Sequence, residues 1–180
     1  MNSFVCLLRG INVGGHRKIS MAALRSVAES IGCQDVQTYL QSGNLVFRSS
    51  ASPSELESVF KSSLLTETGH EVVPFVFLES AFREIVSASP FSSQSCLDPK
   101  FQHLTFIKDS DSISLKKQSH PIGEGEEVEF WCGNFFLYCP NGYGRTKLTN
   151  GYFERISGSM ATTRNWRTVG SLVGMLDRAV

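Results

Sequence analysis

Between residues 3 and 78 the apolar residues switch between the two-residue period of a strand and the 3.6-residue period of a helix. The order of the switches narrows the fold sharply. Residues 3–9 form an apolar run of strand length, and a glycine-rich loop follows over residues 10–19. Ser20 is placed to cap a helix whose buried stripe is Met21, Leu24, Ala28 and Ile31 and which Gly32 ends. Residues 36–40 and 45–48 read as two short strands around Gln41-Ser-Gly-Asn44, a hairpin turn by composition. Ser52-Pro-Ser-Glu55 has capping-box spacing with proline at the first helical position. Leu56, Val59, Phe60 and Leu64 supply that helix's apolar stripe, and Gly69 closes it. Residues 72–78 are a fourth strand, in which Pro74 suits a sheet edge. This β-α-β-β-α-β order is the ferredoxin-like arrangement, the α-β plait, whose fourth strand lies at an edge.

The second half echoes the first. Residues 79–88 read as a connecting helix, and residues 89–100, rich in serine with two prolines, as a linker. Residues 101–108 form a strand, 112–119 a short helix, and 128–132 and 135–139 two strands joined by Gly133-Asn134. Residues 150–156 read as a short helix, and Val169, Leu172, Val173 and Leu176 make the last one amphipathic. The resulting β-α-β-β-α-α order lacks a clear final strand. The expected architecture is α+β: a ferredoxin-like half over residues 1–78, a connecting helix and linker over 79–100, and a degenerate repeat with a C-terminal helix over 101–180.

Charge is segregated. Lys plus Arg equals Asp plus Glu, 17 each. Yet residues 1–28 and 130–176 together carry nine cations against the single carboxylate of Glu154. These stretches also hold the most glycine- and hydroxyl-rich text, which is what an anionic ligand needs. The first apolar run stops at Arg9, too short for a secretory signal core, and nothing is long enough to span a membrane. The five cysteines form no Cys-x-x-Cys pair, so the reading is a reduced, cytoplasmic protein with no membrane partner. Cys6 and Cys33 sit in apolar contexts as buried thiols, and Cys132 and Cys139 flank the second hairpin.

Leu7-Leu-Arg-Gly-Ile-Asn-Val-Gly-Gly15, Met21-Ala-Ala-Leu24, Thr38-Tyr-Leu-Gln-Ser-Gly-Asn44 and Thr162-Thr-Arg-Asn-Trp166, in that order, resemble the signatures of the family catalogued as domain of unknown function 1697. The likeness runs along almost the whole chain. The resemblance implies two ferredoxin-like halves, a mostly bacterial distribution and no established activity. Gly144-Arg-Thr-Lys-Leu-Thr149 also resembles a family segment in which serine is common at the position of Thr146. Arg167 stands where a small polar residue such as asparagine is expected.

Four segments carry candidate ligand-binding residues. The first loop follows a strand and precedes a helix, so Arg9, Asn12, Gly14, Gly15, Arg17 and Lys18 stand where backbone N–H groups and a helix dipole meet an anion. It matches no dinucleotide or P-loop pattern, and its glycines serve equally well as positive-φ positions. Gln41, Ser42 and Asn44 present amide and hydroxyl groups from the hairpin, with Ser42 and Asn44 the candidate contacts, and in the plait geometry that hairpin is expected at the opposite end of the sheet from the first loop. Arg145 and Lys147 bracket the hydroxyl of Thr146 in a way that suits phosphate or carboxylate, or is plain surface charge. Thr163, Arg164 and Asn165 lead into the last helix. There Arg164 beside the positive helix end is a local conflict that an anion would relieve. Arg9, Arg17, Arg145, Lys147 and Arg164 are expected to line one basic, glycine-rich cleft between the halves.

Catalytic constellations are scarce. His16 is the one titratable base inside a motif, and no two histidines have metal-ligand spacing. The motif loops hold no Asp or Glu, which removes paired-carboxylate chemistry and carboxylate-held metals. No metal or cofactor is expected. The reading is a protein that binds a small phosphate- or carboxylate-bearing molecule. The alternatives are a nucleic-acid binder, disfavoured by a pI near 6.9 and the absence of an RNA-recognition aromatic signature, and a non-catalytic interaction protein.

Overall fold

The strands pair into two four-stranded antiparallel sheets, ordered across the sheet as residues 34–39, 44–49, 2–8 and 74–78 in one and 127–131, 134–138, 102–107 and 161–165 in the other. The computed structural model describes residues 1–92, 98–109 and 120–178. Five α-helices accompany the sheets among the described residues, giving a mixed α+β architecture. By its contacts the chain forms two units, one of Met1–Arg83 with Leu172–Val180 and one of Glu84–Ser171.

The first unit holds β1 (Asn2–Leu8), α1 (Met21–Ser30), β2 (Gln34–Tyr39), β3 (Asn44–Ser49), α2 (Pro53–Thr68) and β4 (Pro74–Leu78). Its punctuation follows side-chain chemistry. The Ser20 hydroxyl accepts the Ala23 N–H at 3.1 Å and starts α1. Ser52 and Glu55 close a reciprocal capping box on α2, with Pro53 at the first helical position. Gly69 ends α2 at φ +69°, a left-handed position that costs an L-residue energy. β4 is an edge strand, so the missing N–H of Pro74 costs no ladder bond on that side. Phe4, Phe47 and Phe60 are fully buried, with ring centroids 5.7 and 5.5 Å apart in sequence. They tie β1 and β3 to α2, and Leu24, Val27 and Ala28 bring in α1.

α3 (Glu79–Ser87) leads into the second unit, which contains β5 (Gln102–Ile107), β6 (Glu127–Trp131), β7 (Asn134–Tyr138), α4 (Asn150–Ser157), β8 (Ala161–Asn165) and the start of α5 (Trp166–Leu176). Phe135 and Phe153, with centroids 4.3 Å apart, centre its core with Ile107, Leu137, Leu148 and Ala161. The helix expected over residues 112–119 lies outside the described residues.

Two expectations are corrected here. Residues 161–165, expected as a loop before a final helix, form β8, paired antiparallel with β5 from Ile107↔Ala161 to His103↔Asn165. The second half therefore does have a fourth strand. Thr162 and Thr163, β-branched and stiff, favour extended backbone once β5 offers a partner. The β6–β7 turn is also displaced by one residue. Cys132 (φ +48°) and Gly133 (φ +72°) are its two central residues. Asn134 already pairs with Trp131, and its amide donates back to the Cys132 carbonyl at 2.6 Å.

Candidate functional site

The first loop leaves the sheet under tight control. Leu8 N–H donates to the Gly43 carbonyl at 2.8 Å, Arg9 N–H donates to Val73, and Gly10 takes φ +66°. Ile11 turns inward and is buried. Asn12 then acts as a clasp. Its Nδ2 donates to the carbonyls of Ile19 (2.9 Å) and Gln41 (2.7 Å), and its Oδ1 accepts the Ile19 N–H at 2.9 Å. Each such bond is worth about 0.5–1.5 kcal/mol net. Residues 13–18 stand out beyond this clasp as a small lobe. Within it Val13 pairs with His16, and Gly14 (φ +58°) and Gly15 (φ +81°) make the reversal. Both glycines thus have a conformational role, and Gly14, Gly15, His16, Arg17 and Lys18 are exposed. Arg17 lies back over Gly10, its Nη1 3.4 Å from the point a Cβ there would occupy, and Arg9 is half-buried.

The hairpin does not sit at the far end of the sheet, as expected. β2 is antiparallel to β3 and β3 to β1, so β2 runs parallel to β1 and the β2–β3 turn shares the end at which β1 finishes. Gly43 makes the proximity possible: a Cβ there would fall 2.7 Å from Ile11 Cδ1 and 2.8 Å from Leu8 Cβ. Asn44 is fully buried, and its Nδ2 donates to Tyr39 carbonyl (2.8 Å) and Ser42 Oγ (2.9 Å). Ser42 and Asn44 therefore build the turn, and Gln41 is the hairpin residue that faces the loop's cavity.

That cavity measures about 630 Å³ and is lined by Asn12, Gly15, Lys18, Ile19, Ser20, Met21 and Gln41. It opens at the start of α1, whose first turn holds no acidic residue. First-turn N–H groups have no intrahelical partner and carry the positive end of the helix dipole. The lining therefore combines a cation, a hydroxyl, two amides and an apolar floor without a carboxylate.

The second unit treats its candidates differently. Arg145 and Lys147 are exposed, but the Thr146 hydroxyl between them is buried and committed: it donates to Glu126 Oε2 at 3.0 Å and accepts from Leu148 N–H at 3.1 Å. Thr163 bonds Thr105 (2.7 Å), Tyr143 (3.1 Å) and Asn150 (2.6 Å), which uses its one proton and both lone pairs. Arg164, expected beside the positive end of the last helix, is instead a strand residue of β8, 7% exposed. Its Nη1 donates to Thr162 Oγ1 at 2.8 Å and to the Thr163 carbonyl at 2.9 Å. The conflict expected there dissolves, because Asn165 separates Arg164 from α5 and caps the helix, accepting Arg167 N–H at 3.0 Å.

Sequence reasoning passed over the polar network behind these residues. His103 stacks on Tyr143 with centroids 4.8 Å apart, and burial holds the His103 imidazole below its ordinary range and the Tyr143 phenol above its own. His103 and Thr105 alternate with apolar residues in Gln102-His-Leu-Thr-Phe-Ile107, and that spacing was the available signal for a polar stripe on one strand face. Among the described residues no group of three or more His, Cys, Asp or Glu is arranged to hold a metal ion, and no helix is long and apolar enough to cross a membrane. Cys6, Cys33, Cys132 and Cys139 are thiols outside any disulfide, and burial pushes Cys33 and Cys139 up to about 11.

A family model described as a protein of unknown function (DUF1697) matches residues 1–136. No curated protein matches the chain. Among solved structures the chain is similar to the conserved bacterial protein SP0830 from Streptococcus pneumoniae. The two share 22% identity and superpose with a TM-score of 0.68 over 97% of this chain and 98% of that one, a likeness of fold.

Proposed function

This chain belongs to the DUF1697 family of proteins of unknown function, and from that premise we propose that it binds a small phosphate- or carboxylate-bearing molecule at the cavity between the lobe, the hairpin and the start of α1. The observation that carries this reading is the lining itself: Lys18, Gly15 and the acid-free first turn of α1 meet in one concavity of about 630 Å³ that no carboxylate lines. Lys18 supplies charge. Gly15 lets backbone approach an anion closely. Ser20 and Gln41 add polar contacts, and Ile19 and Met21 offer an apolar seat for the rest of the ligand. Asn12 positions the whole by fixing both loop ends.

The same reading takes each sheet with its helices as a ferredoxin-like plait, supported by the matching strand orders β2-β3-β1-β4 and β6-β7-β5-β8. It places the protein in the cytoplasm, in keeping with thiols outside any disulfide. The test is a thermal-shift series with inorganic phosphate, nucleotides, sugar phosphates, acyl-coenzymes and oligonucleotides. A ligand at a hundred times its Kd adds about 2.7 kcal/mol of stability, which for a chain of this size raises Tm by roughly 5–10 °C. Lys18→Ala should abolish that rise and leave the unliganded Tm unchanged. A rise indifferent to Lys18→Ala would refute the site, and a preference for oligonucleotides over mononucleotides would refute the small-molecule reading.

A further inference from the structure

The two nitrogens of His103 face partners of opposite kind. Nδ1 lies 3.1 Å from the Phe101 carbonyl, which can only accept, so Nδ1 carries the proton. Nε2 lies 3.2 Å from Nδ2 of Asn165. The orientation of that amide is set by two other bonds: Nδ2 donates to the Lys100 carbonyl at 2.7 Å, and Oδ1 accepts the N–H of Arg167, the second residue of α5, at 3.0 Å. Nε2 must therefore be an acceptor. The neutral Nδ1–H imidazole satisfies every member of the chain, and the imidazolium does not.

The surroundings offer a proton little compensation. The Tyr143 phenol covers one ring face and is bonded to Thr163. Across β5 the neighbouring residue on β7 is Leu137. Lys100 precedes the strand and Arg167 lies in the first turn of α5, and both are paired with Asp98, at 3.2 and 3.8 Å. Arg145 follows Tyr143 in its turn. On α4, Glu154 accepts the Ala161 N–H and Arg155 lies over the Tyr152 ring. Of these acids, Asp98 is taken up by Lys100 and Arg167, and Glu154 by the Ala161 N–H.

We propose that His103 and Asn165 form an acid-operated latch on the start of α5, closed while the imidazole is neutral and opened by its protonation. A proton on Nε2 sets two donors against each other. Relief requires the Asn165 amide to turn, which withdraws Oδ1 from Arg167 N–H and Nδ2 from the Lys100 carbonyl, so α5 loses its cap. Burial of the ring, which favours the neutral form, agrees with this geometry.

The test is an NMR titration of the whole chain from pH 8 to 4.5, following histidine ring nitrogens, the Asn165 side-chain amide and the backbone amides of α5. The expected result is an Nδ1–H tautomer at neutral pH, followed below the usual histidine range by a shift at Asn165 and Arg167 sharing the His103 midpoint. Amide-exchange protection in the first turn of α5 should fall with it. In Asn165→Asp the carboxylate still caps Arg167 and accepts from Nε2–H, so the His103 midpoint should rise by at least one pH unit and the α5 shift disappear. An Nε2–H tautomer, or a ring that protonates with no response at Arg167, overturns the latch. So does global unfolding before the ring titrates, because a latch must open within the folded state. The wild-type titration decides the matter by itself if Asn165→Asp does not fold.

Discussion

Replacing Gly43 by alanine should destabilise the first unit far more than the same change at Gly69. The two backbones are nearly alike, with φ +75° at Gly43 and +69° at Gly69, so each substitution carries the left-handed penalty of about 1–2 kcal/mol. Their surroundings differ. A Cβ at Gly69 meets nothing within 4 Å, whereas at Gly43 it falls 2.7–2.9 Å from Ile11 and Leu8. Neither neighbour is the free end of a flexible chain: Leu8 Cβ is fixed by β1, and Ile11 is 1% exposed. Overpacking of this kind adds about 1–3 kcal/mol, for a total of about 2–5 kcal/mol at Gly43. Urea unfolding of wild type, Gly43→Ala and Gly69→Ala under identical conditions reads the difference directly. The displaced Ile11 should also weaken ligand-induced stabilisation at the adjacent cavity, which Gly69→Ala leaves untouched. Equal losses for the two variants would show that the hairpin does not press on the loop and would refute the packing argument.

Further expectations concern the second unit and the thiols. Arg164→Ala should cost about 1–3 kcal/mol of stability, since it strips a buried guanidinium from Thr162 and the Thr163 carbonyl. An unchanged melting point would return Arg164 to the surface. Native protein treated with a thiol reagent and mapped by mass spectrometry should label exposed Cys132 promptly, and Cys33 and Cys139, buried with pKa about 11, only on unfolding; labelling of Cys139 at the rate of Cys132 would contradict this. Because the folded pKa of His103 is lowered, the unfolded chain binds its proton first. Its contribution to stability is complete above about pH 6.5 and is lost as pH falls from there through the folded pKa. His103→Gln should flatten the stability profile between pH 7 and 5, and a variant profile parallel to wild type would count against the assignment.

Local signals in the sequence were strong wherever a single side chain decides the outcome. Ser20, the Ser52–Glu55 box, Gly69 and edge-strand Pro74 all act through bonds or dihedrals within a few residues, and such chemistry is visible in a string of letters. Residues 161–165 were misread because Ala-Thr-Thr-Arg-Asn lacks the apolar alternation of a strand; its strand character comes from β5, distant in sequence. The same limit applied to the candidate site. Lys18 and Gly15 announced themselves by charge and flexibility. Gln41 was legible as a polar hairpin residue, but its place in the same cavity as the first loop follows from the direction of the hairpin, a property of sheet order. Thr146 looked free because Glu126, the carboxylate that takes its proton, lies 20 residues earlier. Asn12, counted among candidate ligand contacts, spends its amide on the Ile19 and Gln41 backbone.

The clasp at Asn12 also separates two design problems. Because the loop is tied off at its neck, the sheet and the first turn of α1 feel only the distance between residues 12 and 19, which side-chain bonds fix. The text between them is then a cassette. Lengthening it costs little, since closure entropy grows only with the logarithm of loop length. A lineage can therefore revise the rim of the cavity, its charge and its reach, without renegotiating the core beneath it. Revision of the rim belongs at residues 16–18, because Val13-Gly14-Gly15 lies within the family signature, and constancy belongs there and at the neck.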